Sequence, residues 1–191
     1  MAIVAIFFLW PGLQALVLSL FREDAFGTRR EFVGLENFAR LFANESYLNS
    51  IQVTFLFSFF VMVVSMTIAL YLAVMADRAI RGSQFYTTML IWPYAVAPAV
   101  SGVMWLFLFN PTVGIISHLL EVMGYDWNHA LRRGQGFLLV TIAASWKQIA
   151  YNFLFFLAGL QNIPPSLLES AAIDGAKPGA RFWRIVFPLL S

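Results

Sequence analysis

"IQVTFLFSFFVMVVSMTIALYLAVMA", Ile51 to Ala76, runs for 26 residues without a charge, a proline or a glycine. A hydrocarbon core about 30 Å thick needs roughly 20 apolar helical residues to cross it. A single chain segment there satisfies its own backbone polar groups only as a helix. This stretch predicts a transmembrane helix, and it sets the class of the whole chain.

The composition agrees. Of 191 residues 60% are hydrophobic and only 12% charged, about half the charge of a soluble domain. The net charge of +2 and the lack of a basic run give no footing for nucleic acid. Without cysteine there are no disulfides, zinc–thiolate sites or thiol nucleophiles. Three more uncharged or nearly uncharged stretches reach spanning length: 2–20, with Pro11 and Gln14; 85–109, broken by Pro93 and Pro98; and 137–160, which holds one charge, Lys147. "MAIVAIFFLW" lacks the basic region of a signal peptide and reads as a retained span. The expected fold is an all-α, multi-pass helical bundle, one domain over 1–191 with spans near 2–20, 51–76, 85–109 and 137–160.

The connections differ in kind. Residues 22–50 mix acids and bases, and Phe32, Leu35, Phe38, Leu41 and Phe42 recur at near-helical spacing, which predicts a short amphipathic helix at the interface. Residues 77–84 read as a tight turn with Arg78 and Arg81. Residues 110–136 open on the turn signal "NPTVG". Loop Lys/Arg counts are nearly balanced between the two sides, so charge alone does not orient the chain. Asn44 begins an Asn-x-Ser sequon, a match common by chance.

Catalytic chemistry has little to stand on. His118 and His129 share one polar loop without an acid at metal-ligand spacing, and read as solvated loop residues. No G-x-x-x-x-G-K-[ST] phosphate cradle, H-E-x-x-H or G-x-S-x-G is present. No catalytic or metal site, and no cofactor bound by this chain, is expected. Polar groups do collect inside the fourth span, in "SWKQIAYNFLFF". A central Lys147 costs roughly 2.5–3.5 kcal/mol on insertion scales, so such a residue faces other helices or water. Gln148, Tyr151 and Asn152 extend a polar sector. Pro93 and Pro98 interrupt the third span, as in helices that line cavities. Two readings stay open: a substrate pathway lined by Lys147, Gln148, Tyr151, Asn152, Pro93 and Pro98, or a purely structural role, with an interhelical hydrogen bond or salt bridge for the polar groups and a kinked, closely packed helix for the two prolines.

The last polar stretch, "ESAAIDGAKPGARFWRIVFP" (Glu169–Pro188), is patterned rather than tail-like. Ser166 and Glu169 have capping-box spacing, and Gly175 is a natural helix stop. A second short arm carries Lys177, Arg181 and Arg184 and ends at Pro188. Two arms this short are unstable alone. An alanine face beside a carboxylate suits docking into a groove on a partner.

With Glu169, Ala171, Gly175, Ile185 and Pro188 at their spacing, the stretch resembles the EAA loop of permease subunits of binding-protein-dependent ABC importers. Ser170 and Phe187 are mild departures. "LAGLQNIP" (Leu157–Pro164) resembles the sugar-type branch. Trp92–Pro111, Tyr125–Ala130 and Trp146–Pro164 bring the likeness nearest to family members for sn-glycerol 3-phosphate, in the role of the first of two permeases. The resemblance implies type I permease architecture in a bacterial inner membrane, with 77–84 and 161–191 cytoplasmic. It implies a second permease, a dimer of ATPase subunits that use the ATP, and a periplasmic substrate-binding protein. Glu169, Ser170, Ala171, Ala172, Asp174, Gly175, Ile185 and Pro188 would form the ATPase-coupling loop, with Glu169 the polar contact and Gly175 the bend. The implied cargo is sn-glycerol 3-phosphate and related glycerophosphodiesters, with a neutral sugar or oligosaccharide as the alternative and a membrane-embedded enzyme as a remote one. Family members have about six spans against the four expected here, which makes a truncated sequence the expectation.

Overall fold

The computed structural model describes residues 2–24, 29–78 and 83–190. The chain divides into two compact units, Met1–Leu56 and Phe57–Ser191.

The first unit begins with a helical turn, α1 (Ala2–Val4), a π-helical stretch at Ala5–Leu9, and α2 (Trp10–Leu18). The π turn has a cause in Pro11. Its ring lacks an N–H and crowds the carbonyl four residues back, so the helix widens and the Trp10 N–H donates five residues back to Ala5 O. An antiparallel hairpin follows, β1 (Phe21–Glu23) against β2 (Arg30–Phe32), with the Phe21 and Phe32 rings edge to face at 5.3 Å. Then comes α3 (Glu36–Phe42). The amphipathic helix expected from Phe32 onward is therefore shorter: Phe32 lies in β2, and only Phe38, Leu41 and Phe42 belong to α3. Asn37 decides this locally, since its Nδ2 donates to the carbonyls of Ser19 and Phe21 at 2.8 and 2.9 Å and fixes the hairpin against α3. Glu36 pairs with Arg22 at 2.8 Å and Arg40 at 2.9 Å. Asn44, the sequon residue, accepts from the backbone N–H groups of Ser46 and Tyr47. It caps α4 (Glu45–Arg78), the 34-residue helix that contains Ile51–Ala76.

The second unit holds α4 from Phe57 on, α5 (Ser83–Ala95), α6 (Pro98–Leu108), α7 (Ile115–Val122) and α8 (Arg133–Gln161). It continues through α9 (Pro165–Ile173), α10 (Pro178–Arg181), a π turn at Phe182–Val186 and α11 (Phe187–Leu190). Arg81 of the expected turn lies outside the described residues. Among those described, α4 is the one helix long and apolar enough by itself to cross a membrane, while Ala5–Leu18 is apolar but shorter. The stretch 85–109 is two helices meeting at 97°. Pro98 causes the break: it opens α6 at its first turn and holds Ala97 extended, φ −57° and ψ 139°. Pro93 stays inside α5.

Two clusters hold this unit together. On α4, Ala69, Ala73 and Ala76 are buried against Phe153, Leu157 and Leu160 of α8, with Ser65 buried one turn before Ala69. Small residues at helical spacing let two helices approach closely. The second cluster is Phe109, Trp127 and Leu139. Trp127 Nε1 donates to the Phe109 carbonyl at 3.0 Å, which anchors the "YDWNHA" segment.

Candidate functional site

Two features carry the chemistry. The first is the two-armed loop after α8. Pro164 and Pro165 start α9 two residues earlier than Ser166 as N-cap would, because a proline at the first helical position is pre-set for the helix. Ser166 is therefore inside the first turn. No side chain caps α9, so the Ser166–Glu169 capping box is not formed. The helix ends in a Schellman turn: the Gly175 N–H donates to Ala172 O at 3.1 Å and the Ala176 N–H to Ala171 O at 2.9 Å. Gly175 sits at φ +78°, a left-handed backbone that glycine adopts without penalty.

The second arm is longer than expected. It runs from Pro178 to Leu190, with Pro188 inside it rather than at its end. The Pro11 rule repeats here, because Phe187 N–H donates back to Phe182 O across a π turn just before Pro188. Leu168, Phe182, Val186 and Leu190 pack onto the α4–α8 cluster, and the last three recur every four residues. Gly159 makes room for them: a Cβ there would lie 2.7 Å from Leu190 Cδ2. Glu169, Ser170, Ala172, Asp174 and Pro188 are exposed, whereas Ala171 and Ile185 are half-buried. Sequence reasoning passed over Ile173, which is 86% exposed beside Glu169. Its signal was the i, i+4 spacing from Glu169 on the face away from Leu168.

The second feature is a groove of about 410 Å³ where α8 meets the α5–α6 bend. Lys147, Gln148, Tyr151 and Pro98 line it together with Tyr94 and Ser101, neither of which the sequence reading assigned to a pathway. Lys147 Nζ donates to the Val96 carbonyl at 2.7 Å, placing a positive charge at the C-terminal end of α5. The Tyr94 and Tyr151 rings are 5.9 Å apart. Asn152 turns away from the groove, its Nδ2 donating to Ser65 Oγ of α4 at 3.2 Å. Pro93 does not line the groove. His118 is exposed, 3.9 Å from Glu121, and His129 lies beside the Trp127 ring. Among the described residues, no group of three or more His, Cys, Asp or Glu could hold a metal ion.

Residues 52–191 match the family described as "Binding-protein-dependent transport system inner membrane component". The chain belongs to this family. As a member, it is an inner-membrane component of an ABC-type transport system, the permease class that Glu169–Pro188 resembles. It is 58% identical over 189 residues to the sn-glycerol-3-phosphate transport system permease protein UgpA of Agrobacterium fabrum, covering 99% of this chain and 64% of that protein. It is 55% identical over 191 residues to UgpA of Yersinia pseudotuberculosis, covering 65% of that protein. The permease chain thus spans just under two thirds of the length of these relatives. A crystal structure of a bacterial alginate ABC transporter, in complex with an alginate pentasaccharide-bound periplasmic protein, superposes with a TM-score of 0.80. That match covers 99% of this chain at 20% identity, so it bears on fold alone.

Proposed function

We propose that this permease forms part of the translocation pathway of an ATP-driven importer for sn-glycerol 3-phosphate and related glycerophosphodiesters. It works beside a second permease, above a cytoplasmic dimer of ATPase subunits, and receives cargo from a periplasmic binding protein. ATP is bound and hydrolysed by the ATPase subunits. The observation that carries this reading is the two-armed loop. One side is seated on the α4–α8 core, while Glu169, Ala172 and Ile173 stand exposed on the other. A short element fixed at its back and bare at its front is built to transmit a push. The relatives' transport of sn-glycerol 3-phosphate supports the cargo, as does a lysine in a groove large enough for a small anion.

The test is uptake and ATPase stimulation in the complete transporter. Glu169→Lys reverses the contact charge, and Gly175→Pro forbids the left-handed turn. Both variants are expected to insert normally but to lose uptake and binding-protein-stimulated hydrolysis. Wild-type uptake in both would overturn the coupling role. Competition between glycerol 3-phosphate and a maltose-like sugar in the same assay checks the cargo. One observation favours the neutral-sugar reading: Lys147 already spends a donor on Val96.

A further inference from the structure

The coupling loop meets α4 and α8 across a cavity of about 380 Å³. Most of its wall is apolar, from Val74, Leu160, Phe182 and Val186, but it also carries two opposite charges, Asp77 near the end of α4 and Arg181 of α10. A guanidinium has five N–H donors. Arg181 is half-buried, and its one described hydrogen bond runs from Nη1 to the Leu168 carbonyl at 3.3 Å. Its Nε is shut off from solvent without an acceptor. A buried donor left unmatched is unfavourable, and the acceptor that best matches a guanidinium fork is a carboxylate. Among the described residues, Asp77 is the only acid on the cavity wall. Among the described residues no ion pair within 4.0 Å joins the two. The cavity is the space their approach would close, and its apolar walls strengthen the attraction as water leaves.

We propose that Arg181 and Asp77 close into an ion pair in one transport state, a strut that carries movement of the loop into the end of α4. Both are positioning residues, acting through the loop rather than on cargo. This inference rests on the reading of 164–188 as the ATPase-coupling loop.

The experiment measures cargo taken up per ATP hydrolysed in the complete transporter. Asp77→Arg and Arg181→Asp are each expected to lower that ratio about tenfold, an effect in the range of coupling between interacting residues. The double variant, with the charges exchanged, is expected to recover at least half of the wild-type ratio. A double variant no better than the worse single one overturns the strut. So does full coupling in Asp77→Asn. If Arg181→Asp does not assemble, Asp77→Cys with Arg181→Cys and a short bifunctional thiol reagent serves instead. Crosslinking that differs between the nucleotide-free and ATP-trapped complex supports closure, and equal, negligible yield in both overturns it. The crosslink reports the two walls whether or not Glu169 contacts an ATPase. Its failure is therefore separable from failure of the Glu169 and Gly175 variants.

Discussion

Lys147 sits on α8, in the stretch 137–160 that the sequence reading expects to span the membrane, where a base costs roughly 2.5–3.5 kcal/mol. Its bond to Val96 shows what offsets part of that cost. The α5 helix stops at Ala95 because Pro98 forces the chain out of helical backbone, and the last carbonyls of a helix carry partial negative charge. An ammonium 2.7 Å from Val96 O answers both needs at once. The polar sector from Lys147 to Asn152 was legible because amides and a base in an apolar run stand out. That Lys147 reaches a helix end 51 residues away was not, since nothing local encodes the bend. Methionine matches lysine in length without donating. Lys147→Met is therefore expected to lower stability by about 1 kcal/mol, the cost of losing a charged hydrogen bond to a half-buried acceptor. Lys147→Arg keeps a charged donor and should stay near wild type. Thermal unfolding of the purified protein in detergent separates the two.

The same contrast between local and distant causes runs through the elements. The span in α4 was readable from hydropathy alone, yet the face it buries was not, because its alanines look unremarkable among larger residues. The packing centres on Ala69, Ala73 and Ala76, with Leu72 and Val74 partly buried against them, whereas Tyr71 is 63% exposed and Met75 55% while Ala73 is fully buried. Ala73→Leu is expected to cost about 1–3 kcal/mol by overpacking, with Tyr71→Leu nearly neutral. The midpoints of denaturant unfolding in detergent would show that order, and its reversal would contradict the assigned face. The hairpin at Phe21–Phe32 escaped prediction because its strands are three residues each, too short for alternation to show. The capping box failed for a different reason, since a proline pair beside Ser166 took over the helix start. Pro188 was misread as a terminator. Both π turns show how a helix carries a proline past its first turn by widening ahead of it.

Within the second unit, the groove and the two-armed loop meet on one helix. Lys147 and Gln161 lie on α8, about 21 Å apart at 1.5 Å per residue. The helix between them is buried at Ala150, Phe153, Leu157 and Leu160. On the proposed coupling role, α8 between them acts as a stiff rod rather than a flexible link. Its stiffness can be broken without touching either end. Ala158 is exposed and lines neither cavity. Ala158→Pro removes one backbone hydrogen bond and kinks the helix, at about 3 kcal/mol. Ala158→Leu adds an apolar side chain at an exposed position and leaves the backbone intact. In the complete transporter, Ala158→Pro is expected to keep ATPase activity while uptake falls at least tenfold, and Ala158→Leu to keep both. Loss of hydrolysis and uptake together would point to failed assembly, which the amount of purified complex would reveal. Full uptake in Ala158→Pro would mean that force reaches the groove by a route other than α8, and the α4 end at Asp77 is the other element that the loop's cavity touches.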